Sequence, residues 1–463
     1  MILGELFSIF KSYNWLKQLL IFLIYLTCHL STLANEVTNQ TNQDQGWPQF
    51  LGPSRNGKSP LITNPSNWQD DLNLVWQAKT GEGYGSPTVS QNRLFLFDRD
   101  DNLARLVCYR ADIGEKIWEF DYLTDYQDLL GYNNGPRSSP SVDKDRVYIF
   151  GAEGMLHCLN ISSGQLVWSV NTTKRFNVVQ NFFGVGSSPI LVGDLLIVTV
   201  GGSQSTASTD IYSVQDHLSG NGSGIVAFDK HSGHLVYQIS DQLSSYASPI
   251  VTQIGSRLWG FAFMRSGLVG FDPVKGVVNF NFDWRAEKFE SVNASSPVII
   301  SDHRPESKLV FISESYQIGS ALLRVSNEGY QVVWKDLKKQ RKKSLMLHWN
   351  TAIHHDGFLY GCSGRHTTGA ELRCININNG TVVWSKRVDE RMSLTAVSDY
   401  LIALGEFGTL LLIRLNSSHF DLCASHTLSE AFGLKYPAWS APVVANGFLY
   451  LRGRDHVYCF DLP

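Results

Sequence analysis

Eight residues in this 463-residue chain stand at one equivalent position, each three places ahead of a Pro or Ala: Tyr84, Arg137, Gly186, Tyr246, Ala294, Trp349, Ser393 and Trp439. Four are aromatic and one is a guanidinium. Gathered into a ring, they would form a stacking platform with a cation. That chemistry suits a planar anionic ligand such as a quinone, a nucleobase or a sugar ring. The plainer alternative is that the rings plug a channel or pack beneath loops. Arg365, His366, Glu153 and Glu406 fall on hairpins expected at the same end and would add polar contacts, or lie solvated there.

Other chemistry is poorly served. There is no G-x-S-x-G, no H-E-x-x-H, no P-loop and no dinucleotide fingerprint. The acidic run "DRDDN" (98–102) lacks the Gly and distal Glu of a calcium loop. A net charge of −3 gives no case for nucleic acid. The basic run "KKQRKK" (338–343) reads as a solvated loop, with a polyanion or anionic membrane surface as the sharper reading.

The eight positions are equivalent because the chain repeats. "GSPTVSQNRLFLF" (85–97) recurs as "SSPSVDKDRVYIF" (138–150), "SSPILVGDLLIVT" (187–199), "ASPIVTQIGSRLWGF" (247–261) and "SSPVIISDHRPESKLVFI" (295–312). Weaker copies are "NTAIHHDGFLYGC" (350–362) and "LTAVSDYLIAL" (394–404), and the last is "SAPVVANGFLYLR" (440–452). A second phrase follows each, as in "VCYRADIGEKIW" (107–118), "HCLNISSGQLVW" (157–168) and "RCININNGTVVW" (373–384). Short runs rich in Val, Ile, Leu, Tyr and Phe, separated by Gly- and Asn-containing turns, read as strands. Each unit is therefore four antiparallel strands, A to D.

Such units at this period predict an all-β, eight-bladed β-propeller. Seven blades is the competitor if the copy at 394–404 is irregular. The eighth unit lacks strand D at the chain end, "VYCFDLP" (457–463). An isolated D-like strand, "NLVWQAK" (73–79), precedes the first unit and is expected to complete the last blade, closing the ring. Strand A lines the channel, so the eight positions ring its mouth. The longest connections (121–137, 171–186, 201–224, 284–294, 335–350) share that end, where binding is expected.

Ahead of the propeller, Lys11 and Lys17 flank the apolar run Leu19 to Leu30, with small residues before Asn35. This reads as a signal peptide over 1–34, or an uncleaved anchor, then a polar spacer over 35–46 and one domain over 47–463. An exported protein of the periplasm or cell envelope follows, monomeric, touching membrane only through an uncleaved leader. Cys108, Cys158, Cys374 and Cys459 share one strand C position in different blades, and Trp118, Trp168, Trp334 and Trp384 end strand D; both sets read as packing. Cys362 and Cys374 flank one hairpin but fall two positions out of register. Seven N-x-[ST] sequons, Asn293 among them, would carry glycan only in a eukaryotic secreted protein.

"ADIGEKIW", "LNISSGQLVW" and "INNGTVVW" resemble the A-x-D-x-x-[TS]-G-x-x-x-W docking repeat of pyrroloquinoline-quinone (PQQ)-type propellers. From about residue 47 the chain is similar to the bacterial PQQ-like repeat family. Its opening "WPQFLGPSRNG" resembles exported members of planctomycete type. The family implies the propeller fold and spans quinone-dependent dehydrogenases, a scaffold of outer-membrane barrel assembly, and many members of unknown role. PQQ with Ca²⁺ would be the cofactor on the dehydrogenase branch. That branch carries a vicinal cysteine pair, absent here, and its calcium ligands and catalytic Asp map onto no position of this chain. Two functions are expected: a non-catalytic propeller binding an envelope protein, a polysaccharide or a small planar ligand, or a diverged quinone oxidoreductase. The opening segment itself is expected to pin Trp47 and Phe50 onto the outside of the first or last blade.

Overall fold

Each copy of the first phrase folds into an inner hairpin, and each copy of the second into an outer one. The computed structural model describes residues 46–61, 72–204 and 218–462. The expected leader, and the spacer apart from Gly46, lie outside them. Seven successive sheets, at 88–123, 141–171, 190–239, 250–283, 298–335, 353–387 and 392–427, each contain strands A to D in chain order. The eighth holds Val443–Ala445, Phe448–Arg452 and His456–Asp461, and its D strand is Leu74–Lys79, the N-terminal closure expected from the sequence. The weak copy is regular: Met392–Val397 pairs with Tyr400–Gly405 along its whole length. The fold is an eight-bladed propeller.

Two devices join the blades. Around the channel, the Ser before the Pro in blades 2 to 5 hydrogen-bonds the next blade. Ser139 N–H donates to Ser188 Oγ at 2.9 Å, Ser188 N–H to Ser248 Oγ at 2.9 Å, and Ser248 N–H to Ser296 Oγ at 3.1 Å. At the rim, strand D carries a β-bulge in every blade, one residue ahead of the docking position. The bulge aims the following side chain at the next blade. Trp76 Nε1 reaches Ala111 O at 2.9 Å, Trp118 reaches Ile161 O at 3.0 Å, Trp168 reaches Lys230 O at 3.1 Å, and Trp384 reaches Asn416 O at 2.9 Å. In five blades the bulge residue is turned out instead, leaving Val75, Ile117, Val167, Val236 and Val383 exposed.

The glycine of the C–D turn completes this joint. Gly164 has φ +71°, and a Cβ there would stand 2.6 Å from Trp118 Cε3. The indole lies flat on the turn, so the site needs both the left-handed backbone and the missing side chain. Cys108, Cys158, Cys374 and Cys459 are buried and free, each paired across strand B with an aromatic ring (Phe95, Tyr148, Tyr360, Tyr450). Cys362 is likewise free, opposite Leu372 rather than Cys374. Asp98 of the acidic run is ion-paired with Arg105 at 3.0 Å. Asn293 is fully buried, its Nδ2 donating to Met264 O at 2.8 Å, so that sequon is inaccessible.

The opening segment departs from expectation. Residues 47–59 lie against the inner strands, not the blade exteriors. Trp47 is 2 % exposed and exchanges backbone hydrogen bonds with Val89 of blade 1. Pro48 O accepts from Val142 N of blade 2, and Arg55 Nη2 donates to Leu191 O of blade 3. Lys58–Ser59 then runs parallel to Met392–Val397, as a fifth strand on blade 7, and Ser59 Oγ donates to Val444 O of blade 8. All these partners sit on strand A of their blades. The segment rises along blade 1, turns at Leu51–Gly57, and descends along blade 7, plugging the channel. Its apolar side chains find there the burial that the outer face, already sealed by docking tryptophans, does not provide.

Candidate functional site

Above the plug, the channel opens into a cavity of about 480 Å³. That size suits a small organic ligand. All eight ring positions, from Tyr84 through Trp439, line it, and the plug supplies its floor through Phe50 and Leu51. The loops ahead of each strand A carry the ring residues, and the inter-blade Ser bonds hold those loop ends. Ser440 Oγ donates to Tyr84 O at 2.7 Å, and Ser393 Oγ to Trp439 O at 2.7 Å.

Trp439 is the hub. Its ring centroid is 4.7 Å from Tyr84 and 4.9 Å from Trp349. Trp349 Nε1 donates to Ser393 Oγ at 3.1 Å, and Trp439 Nε1 donates to Glu406 Oε2 at 3.0 Å. Tyr246 closes the opposite wall, its hydroxyl accepting from Phe183 N and its ring filling the space that the missing side chain of Gly186 leaves. Burial pushes the Tyr84 and Tyr246 hydroxyls well above the ordinary range, so both stay protonated.

The charges are arranged in pairs. Arg137 lies over Tyr84 at 5.6 Å and over Phe183 at 5.8 Å, while its Nη2 bonds the fully buried Asp128 carboxylate. Arg391 lies 4.4 Å over Trp349 and 5.3 Å over Trp439, and its Nη2 is 2.5 Å from the equally buried Glu406. Burial would raise the Glu406 carboxyl, but hydrogen bonds from Arg391 and Trp439 hold it below its ordinary value. Arg365 stands 4.1 Å over Tyr316. Burial and the nearby Arg391, Arg365 and His366 push His348 down to about 3, leaving a neutral imidazole in the wall.

Sequence reasoning therefore named the ring but not its supports. Tyr132, Phe182 and Phe183 come from loops recognised as long, Tyr316 from the short 314–319 turn of blade 5 and Tyr436 from the connection between blades 7 and 8; none has a repeat to mark it. Arg391 and Asp128 carry no motif either, although Arg391 is only two residues from Ser393. Among the hairpin residues, Arg365 and His366 line the cavity, while Glu406 acts from behind it. Glu153 is placed elsewhere, accepting from Tyr122 OH at 2.7 Å and Thr124 Oγ1 at 3.3 Å. In the basic run, Lys338 pairs with Glu287 and Lys343 is buried, donating to Leu337 O.

The donor set does not match a calcium–quinone centre. Among the described residues no group of three or more His, Cys, Asp or Glu side chains is placed to hold a metal, and no cysteine lines the cavity. Both buried carboxylates behind the wall are already paired with arginine. What the arrangement offers is stacking, shape and positive charge.

Comparison with known proteins agrees on the fold. The family model described as outer membrane protein assembly factor BamB matches residues 69–217 and 134–386. The assembly factor BamB of Shewanella oneidensis is 25% identical over 150 residues, 30% of this chain and 34% of that protein, so the match spans about a third of its length. Among solved structures, quinohemoprotein alcohol dehydrogenase from Comamonas testosteroni superposes with a TM-score of 0.65 at 11% identity, covering 90% of this chain and 80% of that one. BamB from Moraxella catarrhalis superposes at 0.55 and 13% identity, covering 84% and 98%. No helix among the described residues is long and apolar enough to cross a membrane. With the model matched over most of the blades and the docking repeat in place, the chain belongs to the PQQ-like β-propeller repeat family.

Proposed function

We propose that this protein is a non-catalytic binding propeller of the cell envelope, which captures a ring-shaped ligand, free or presented by a partner, in the cavity at its loop-rich end. One observation carries the reading: eight sequence-equivalent positions converge on an aromatic cavity, and the two buried carboxylates behind its wall are both paired with arginine. A carboxylate that acts as general base or metal ligand must be free to accept a proton or an ion. Asp128 and Glu406 are instead committed to holding Arg137 and Arg391 against the rings. An envelope location is supported by the leader-like N-terminus and by the outer-membrane assembly role in the names of the BamB relatives. A partner protein of the envelope, or a polysaccharide, is the source from which such a ring would come.

The test is ligand-dependent thermal stabilisation across a panel of aromatic acids, nucleosides and sugars, with Trp439→Ala as the control. A stabilising compound whose effect disappears in Trp439→Ala supports the reading. A panel without effect, or an effect that survives the substitution, removes it. Incubation with PQQ and Ca²⁺, followed by quinone absorbance and dye reduction with alcohols or sugars, tests the dehydrogenase alternative directly. Turnover there would replace the binding reading.

A further inference from the structure

The three arginines of the cavity differ in one respect. Arg137 has Asp128 as its carboxylate partner, and Arg391 has Glu406. Among the described residues, Arg365 has none: its guanidinium makes a π contact with Tyr316, and its carbonyl accepts from Arg391 Nη1 at 3.2 Å. It comes from the 363–371 hairpin of blade 6, partly exposed, with its side chain in the cavity lining. The neutral His348 beside it adds no second charge. Glu290 is the sole carboxylate among the described lining residues, and it is exposed and forms no ion pair with Arg365.

A partly desolvated guanidinium without a counter-charge, set against aromatic rings, is a poor stability element and a good anion receptor. Its planar fork matches a carboxylate, and the surrounding apolar wall strengthens the attraction. Arg137 and Arg391 have already spent their forks on protein carboxylates. We infer that Arg365 is the anion anchor of this cavity, and that the ligand is a ring compound with one flat apolar face and a single anionic substituent. This rests on the binding reading above and names the ligand class for it. An aromatic acid and a sugar acid share that chemistry.

Two matched pairs of probes separate these sources: 2-naphthoate against 2-naphthamide, and D-glucuronate against D-glucose, titrated by calorimetry into the full chain. In at least one pair the acid should bind about tenfold more tightly than its neutral partner, as one charge-assisted fork predicts. The pair that shows the preference identifies the ring. Arg365→Gln should bring that acid and its neutral partner to within about threefold of each other, while Arg365→Lys keeps part of the preference. Glu290→Gln should tighten the acid alone. Melting of each variant reports that the fold is intact. Equal binding of acid and neutral partner, or a preference that survives Arg365→Gln, overturns the anchor while leaving the cavity reading in place, provided Trp439→Ala weakens both probes. No binding of any of the four removes the cavity reading and the anchor together.

Discussion

Glu406 and Glu314 are both buried carboxyls, and their surroundings push them in opposite directions. Glu406 is raised by burial, but Arg391 and Trp439 hold its carboxyl below the ordinary 4.5, and it also accepts from Thr367 Oγ1. Its stabilisation is therefore complete above pH 4.5 and is lost as the pH falls towards the folded-state value. Glu406→Gln strands Arg391 against the rings and should cost about 3 kcal/mol at pH 7 in urea unfolding, with the gap to wild type narrowing in acid. Burial pushes Glu314 from 4.5 up to about 7, outweighing hydrogen bonds from Ser291 Oγ and backbone amides and a weaker attraction from Arg285. Between those values the unfolded chain has released the proton and the folded one has not, so stability falls as pH rises. Glu314→Gln should remove that loss, gaining on the order of 3 kcal/mol over wild type by pH 7. A Glu314→Gln advantage that stays flat between pH 4.5 and 7 would refute the assignment. Neither sign was legible in the sequence, because each depends on which donors the fold delivers.

At the scale of elements, the joint between blades is a bulge, an indole and a glycine acting together. Gly164→Ala forces both a left-handed backbone on Ala and a clash with Trp118; it should lower stability by about 2–4 kcal/mol, read by thermal unfolding. Trp118→Phe loses only the bond to Ile161 O and should cost about 1 kcal/mol beyond its packing loss. The Trp and Gly were legible because they recur. The bulge was not: one extra residue between two strands leaves no mark in an apolar run. The plug was misplaced for a related reason. Residues 47–59 occur once, with no period to register them against a neighbour, and nothing local separates a blade exterior from a channel interior. Trp47→Ala should cost about 3–5 kcal/mol, as for a buried core indole, whereas a surface staple would cost far less. Phe50→Ala, at the cavity floor, should change ligand affinity with little change in melting.

For the whole molecule, closure is decisive. The D strand of blade 8 comes from Leu74–Lys79, almost the full chain away from its partner His456–Asp461. Trp76 then docks on blade 1, so the same short strand both completes one blade and seals it to the next. Removing residues 46–80 should abolish both the ring seal and the plug, replacing one cooperative transition by early proteolysis of blade 8. No covalent link shares this task among the described residues, whose six cysteines are all free. The melting temperature should therefore be the same with and without a reducing agent; a drop on reduction would reveal a disulfide.

The sequence by itself determined the strand order, the blade number, the closing strand and the ring of eight, because a repeated phrase assigns the same register, and hence the same side-chain direction, in every blade. Only the tertiary structure decided how the ring is charged and floored. Asp128 and Arg137, or Arg391 and Glu406, become partners when loops and hairpins converge above the channel, and those pairings set how much charge is left over. The plug beneath them turns the channel into a cavity with a floor. Both outcomes depend on distances across the ring, which no local pattern encodes.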